Sequence, residues 1–209
     1  MIARKKEWIQ GWKNLKKRTL IDAVFQVFSE HGLDGLTMDN VALEAGVAKG
    51  TLYAYFKSKE ELVKSAIEAS VTPLVKELTE VLESDSPPDW KIRQLTSRHL
   101  TYFEAHRGFF RALLYDRQAA HCRAKRYKST LYQTLLRSTA KVVDQGMQSG
   151  AFRPANPHKV ASLLIEANIA VINLRLVNEK PGPVKQDANL LSDIFLHGIT
   201  RVSKQKKET

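Results

Sequence analysis

Apolar positions recur with helical spacing along almost the whole chain. Ile21, Val24, Phe25 and Phe28 fall at i, i+3, i+4 and i+7, one stripe of a helix over about residues 16–31. Gly32, followed by the apolar Leu33, marks its C-terminal cap. Thr37 caps a short helix through Ala45, with Asp39 in its first turn at the positive end of the macrodipole. After Gly46 and Val47 a second short segment covers residues 49–56, and Ser58-Lys59-Glu60-Glu61 is a capping box that opens a long helix towards Leu82. Ser86-Pro87-Pro88-Asp89 starts a further helix over about residues 90–106, and an apolar segment follows at 109–115. Beyond a basic stretch at 121–128, a long helix is stopped by Gly150; Asn156-Pro157 opens another to about Val177, and a last one spans about residues 186–203. No segment alternates with strand period between turn signals, so the expected fold is all-α.

Charge changes the picture next. The 209 residues hold 33 Lys plus Arg against 22 Asp plus Glu, a formal net charge of +11. Such a surplus calls for an anionic partner: nucleic acid, a membrane surface or acidic metabolites. It is concentrated in two places. Residues 1–18 hold seven basic residues and one acid, Glu7, and residues 107–141 hold nine against Asp116 alone. The first residues lack an apolar signal region and no run of 18 apolar residues occurs, so a cytoplasmic protein with no membrane association is expected. The single cysteine, Cys122, fits that compartment.

Residues 37–56, TMDNVALEAGVAKGTLYAYF, have the spacing of a helix-turn-helix. Val41, Ala42 and Ala45 give the first helix a small apolar inner face, met by Val47 and Leu52. Gly46 stands where the turn needs a positive φ. Together with Thr19, Ala23, Phe28, Gly32, Tyr55-Phe56, Lys59 and Leu62, this run resembles the DNA-binding region of the TetR family of bacterial transcriptional regulators over about 45 residues. Farther on, Gly150-Ala151-Phe152-Arg153-Pro154 is similar to the segment before that family's last two helices.

The resemblance implies an N-terminal three-helix DNA-binding domain over residues 1–62 and a C-terminal helical ligand-binding and dimerisation domain over 63–209. It places Thr37, Tyr55 and Lys59 against DNA phosphates, and Lys49, Gly50, Thr51 and Tyr53 in the major groove of a pseudo-palindromic double-stranded operator. Ala48 stands where the family often has a capping Ser, and losing such a cap typically costs about 1 kcal/mol. Dimerisation is expected through the last two helices, which carry Leu163, Leu164, Ala167, Ala170, Val171 and Leu174, then Leu190, Leu191, Ile194, Phe195, Gly198 and Ile199. A repressor released by a small-molecule effector is the function implied.

Phe103, Phe110, Arg111, Tyr115, Tyr132 and Asn168 are candidate effector contacts, chosen as bulky or polar residues on the middle helices. Arg forks at 107, 111 and 126 match carboxylate or phosphate, which favours an anionic or apolar ligand. The same basic residues also fit a plain solvated face or a contact with another macromolecule. Trp8 and Trp12, four apart, suggest that the basic arm extends the first helix and directs its charges towards DNA. Neither His99 and His106 nor His121-Cys122 has ligand companions at metal spacing, so no metal is expected. No nucleophile elbow or Gly-rich phosphate motif occurs, and neither an enzyme nor a cofactor is expected. A basic, sequence-tolerant nucleic-acid binder without an effector is the alternative function.

Overall fold

The computed structural model describes the backbone of residues 2–32, 34–115 and 129–199, and the side chains of 16–32, 34–114 and 129–199. The expectations for Trp8, Trp12, the Tyr115 ring, His121, Cys122 and Arg126 therefore lie outside the described residues. The described residues form nine α-helices and no strand: α1 (Ile2–His31), α2 (Met38–Glu44), α3 (Lys49–Tyr55), α4 (Lys59–Glu83), α5 (Pro88–Ala105), α6 (Arg107–Tyr115), α7 (Thr130–Gln148), α8 (Pro157–Val177) and α9 (Val184–Ile199). They divide into two compact units, residues 2–71 with 112–115, and residues 72–111 with 129–199.

In the first unit α1 packs on α2 and α2 on α3. Leu20, Ile21, Val24, Val27, Leu36, Val41, Ala42, Leu52, Phe56 and Leu62 are its core. The stripe on α1 is rotated from the expected one: Leu20 and Val27 are buried, whereas Phe25 and Phe28 stay half-exposed. The helix also starts at Ile2, so the basic arm is a continuation of it. Only Gly11 weakens that extension, by roughly 1 kcal/mol relative to Ala, and no Pro interrupts it.

The second unit is a bundle in which α5 packs against α7, α8 and α9, and α7 against α8. Leu78, Leu82, Ile92, Leu95, Leu135, Val142, Val143, Phe152, Leu164, Ile165 and Leu196 fill its centre. A Cβ on Gly146 of α7 would lie 2.1 Å from the Phe152 ring, so glycine is what lets that ring seat. Arg175, buried on α8, clamps the α8–α9 loop. Its Nε and Nη2 reach Glu104 Oε2 at 3.1 and 3.0 Å, Nη1 pairs with Asp187, and Nη2 donates to the Gly182 carbonyl at 3.0 Å. Pro157–Val177 is long and apolar enough by composition to cross a bilayer, which the absence of an uninterrupted apolar run did not suggest. Here it buries Val160, Leu164, Ile165, Ile172 and Leu176 in the bundle instead.

Helix α4 runs through residues of both units and contains Pro73 in its interior. Proline has no N–H for the carbonyl of Ala69 and its ring crowds that turn, so the helix is locally weakened there.

Candidate nucleic-acid interface and effector site

The helix-turn-helix is built by caps. Thr37, extended at φ −115° and ψ 159°, accepts a hydrogen bond from the Asn40 N–H at 3.1 Å and so starts α2. Asn40 in turn donates from Nδ2 to the Gly35 carbonyl at 2.7 Å, which fixes the entry of the chain. At the other end Gly46 adopts φ +63°, its N–H bonds to the Leu43 carbonyl and the Val47 N–H to the Ala42 carbonyl, both at 3.0 Å. That pair of bonds is a Schellman motif, and it turns the chain from α2 into α3. Ala48 is the N-cap of α3 and makes no side-chain cap bond.

Leu52 and Phe56 are the buried face of α3, and Lys17 Nζ lies 5.6 Å above the Phe56 ring. Lys49, Gly50 and Tyr53 are exposed, and Thr51 and Tyr55 half-buried. Tyr53 thus belongs to the outer surface, Phe56 to the core. Lys49 Nζ pairs with Asp39 Oδ1 at 2.5 Å, which joins the first turns of α2 and α3 and raises the lysine pKa through the hydrogen bond and charge of that carboxylate. At the far end of α3, the Ser58 hydroxyl accepts from the Glu61 N–H at 3.2 Å and Glu61 accepts from the Lys57 N–H at 2.8 Å. Lys59 is therefore held, half-buried, at the first position of a firmly capped helix.

In the second unit the Phe103 and Phe110 rings meet at a tilt of 40° with centroids 4.3 Å apart, and His99 lies 5.5 Å from Phe103. Asn168 is fully buried, its Nδ2 donating to the Leu164 carbonyl at 2.8 Å and reaching Thr96 Oγ1 at 3.5 Å. The Tyr132 hydroxyl donates to Glu166 at 3.2 Å. Three of the expected effector residues, Phe103, Phe110 and Asn168, thus gather around one face of α5, that of Thr96, His99 and Phe103. Arg111 is half-buried on α6, and no contact described here brings it to that face. Arg107 is engaged elsewhere: it donates to the Asn178 carbonyl and lies 3.7 Å from Glu104. In the sequence His99 stands only as a histidine without ligand companions at metal spacing. Its spacing, three residues after Thr96 and four before Phe103, was the available sign that it shares their face.

Apolar side chains also stand out in solvent on the last two helices. Leu163, Leu174 and Val177 on α8, and Leu190 and Ile194 on α9, are more than half exposed. Their spacings of 11, 3 and 4 residues put each set on one stripe, and α8 and α9 pack on one another.

With this geometry in hand, the comparisons with known proteins are specific. Residues 20–66 match the family described as bacterial regulatory proteins, tetR family. The HTH-type transcriptional regulator YhgD of Bacillus subtilis is 24% identical over 157 residues, 75% of this chain and 82% of that one. The HTH-type transcriptional repressor KstR2 of Mycobacterium tuberculosis is 24% identical over 70% of this chain and 74% of its own. Among solved structures, the transcriptional regulator FadR from Bacillus subtilis in complex with stearoyl-CoA superposes with a TM-score of 0.68 at 18% identity, covering 87% of this chain and 98% of the other.

Proposed function

The chain belongs to the TetR family of bacterial regulatory proteins, and on that premise we propose how its parts divide the work of a DNA-binding transcriptional regulator. Residues 1–62 bind the operator, with Thr37, Tyr55 and Lys59 on phosphates and Lys49, Gly50, Thr51 and Tyr53 at base edges. Residues 63–209 dimerise and receive the effector. The exposed stripes of α8 and α9 meet their counterparts in a second copy, because contiguous apolar surface of that kind is costly to leave in water. Two copies related by a two-fold axis then present their recognition helices about 34–36 Å apart, one turn of the duplex. The protein works in the cytoplasm as a repressor, without catalytic chemistry of its own.

The observation that carries this reading is the capped helix-turn-helix whose second helix keeps its apolar face inside and Lys49, Gly50 and Tyr53 outside. Support for effector control comes from the FadR complex: a helical chain of this fold holds stearoyl-CoA, a ligand with a long apolar chain. Phe103, Phe110, Tyr132 and Asn168, together with Arg111 and Tyr115, are the residues we assign to the effector. An effector that favours the non-operator conformation shifts the equilibrium by its differential affinity, typically 1–3 kcal/mol in such systems. Helix α4, shared by both units and weakened at Pro73, is the element through which that preference reaches the DNA-binding half.

Selection of bound duplexes from random DNA tests the reading directly. The expected product is an inverted repeat whose half-sites are one helical turn apart. Recovery of tight binders without any palindromic consensus would instead establish the sequence-tolerant binder.

A further inference from the structure

Among the described residues of the second unit three buried side-chain atoms lack a hydrogen-bond partner, Arg107 Nη1 on α6 and, inside the bundle, His99 Nδ1 and Asn168 Oδ1. His99 is 6% exposed and Asn168 0%. Buried polar atoms are paired in roughly nine cases of ten, so two unpaired ones on adjoining helices need a reason.

The two are close. The Asn168 amide reaches Thr96, and Thr96 and His99 are three residues apart on α5, hence neighbours about 5–6 Å apart on one helix face. The bonds of Nδ2 to the Leu164 carbonyl and Thr96 fix which end of the amide is which. The unpaired atom is therefore an acceptor and needs a donor. Burial pushes the His99 pKa down to about 4, so the ring is neutral near pH 7 and offers one donor and one acceptor. Beyond His99, the rings of Phe103 and Phe110 continue the face as apolar surface.

We propose that His99 and Asn168 form the polar end of the effector site, and that the effector is an uncharged, mostly apolar molecule bearing a hydroxyl or a primary amide. The proposal rests on the reading of the second unit as effector-binding and narrows it. A hydroxyl or amide donates to Asn168 Oδ1 and completes the bonding of His99 with the same group. A carboxylate is an acceptor only and leaves Asn168 unpaired. It would also need a cation in the desolvated site, yet the buried guanidinium of Arg175 is committed to Glu104 and Asp187, and Arg107, although its Nη1 makes no hydrogen bond, lies 3.7 Å from Glu104 and donates from Nη2 to the Asn178 carbonyl. An ammonium is disfavoured as well, because a charged group carries the larger desolvation cost in a buried site.

A matched series tests this on the full chain: 1-dodecanol, dodecanamide and dodecanoate, each titrated calorimetrically into the wild type, Asn168→Leu, His99→Leu and His99→Gln. Operator binding is measured on the same preparations. Dodecanol and dodecanamide are expected to bind the wild type at least tenfold more tightly than dodecanoate. Asn168→Leu and His99→Leu are expected to lose at least tenfold in dodecanol affinity. His99→Gln, which keeps a donor and an acceptor, should retain part of the binding and serves if His99→Leu does not fold.

Equal binding of dodecanoate overturns the proposal, as does undiminished dodecanol binding by Asn168→Leu. Binding of none of the three probes also overturns it. Because operator binding is read separately, its loss in the wild type would count against the regulator reading and not against this site.

Discussion

A histidine inside an apolar bundle makes folding stability depend on acidity, and His99 does so with a definite sign. Its folded pKa of about 4 lies below the unfolded value of about 6.5, so between these values the unfolded chain binds the extra proton and acid favours unfolding. Stability is therefore expected to fall by up to about 3 kcal/mol as pH drops from 7 to below 4. Urea titrations across that range should show the loss in the wild type, and a correspondingly flatter dependence in His99→Leu. This residue was hard to read from the sequence because polarity says nothing about depth. The polarity of Asn168 and the bulk of Phe103 are legible in the sequence, whereas the partners of His99 depend on which face of α5 turns inward. The Arg107 side chain was visible as charge, but its acceptor on Asn178 is 71 residues away in the chain and no local pattern announces it.

At the scale of elements, caps and breakers were the most legible features. Thr37, Gly46, Ser58, Gly150 and Asn156 each do what their residue type favours, since they act within four or five positions of themselves. What local pattern missed was rotation and extent. The buried stripe of α1 includes Leu20 and Val27, and α6 begins at Arg107, because tertiary packing decides both. Ala48, the N-cap without a side-chain acceptor, gives the first expected gain: Ala48→Ser should raise stability by about 0.5–1 kcal/mol, measurable by thermal denaturation of the free protein. Gly146 gives the expected loss. Gly146→Ala puts a methyl into the Phe152 ring and should cost about 1–3 kcal/mol, whereas alanine at most helix positions is favourable.

At the scale of the whole molecule, the proposed function needs two copies. Leu174 is 71% exposed and stands mid-stripe on α8, so Leu174→Glu should leave the fold of each subunit intact while opposing association. Sedimentation should show a shift from dimer to monomer, with operator affinity lost alongside because one recognition helix reads only one half-site. Such an assembly is legible in a single chain only as surplus apolar surface. In the sequence Leu163 and Leu164 look alike; in the fold one is exposed and the other is core.

The ion pair between Lys49 and Asp39 also bears on how the protein finds its site. DNA binding gains entropy from the counterions that a protein's cations displace, and each neutralised phosphate adds about 0.9 to the slope of log affinity against log salt. A lysine already matched by a carboxylate brings little net charge to that exchange, and residues 1–62 as a whole hold ten basic residues against eight acidic. On the proposed reading this holds down indiscriminate attraction to the genome and leaves residence to the groups that read bases. Asp39→Asn should accordingly bind random duplex more tightly and with a steeper salt slope, narrowing the ratio of operator to random affinity even if the operator itself is bound better.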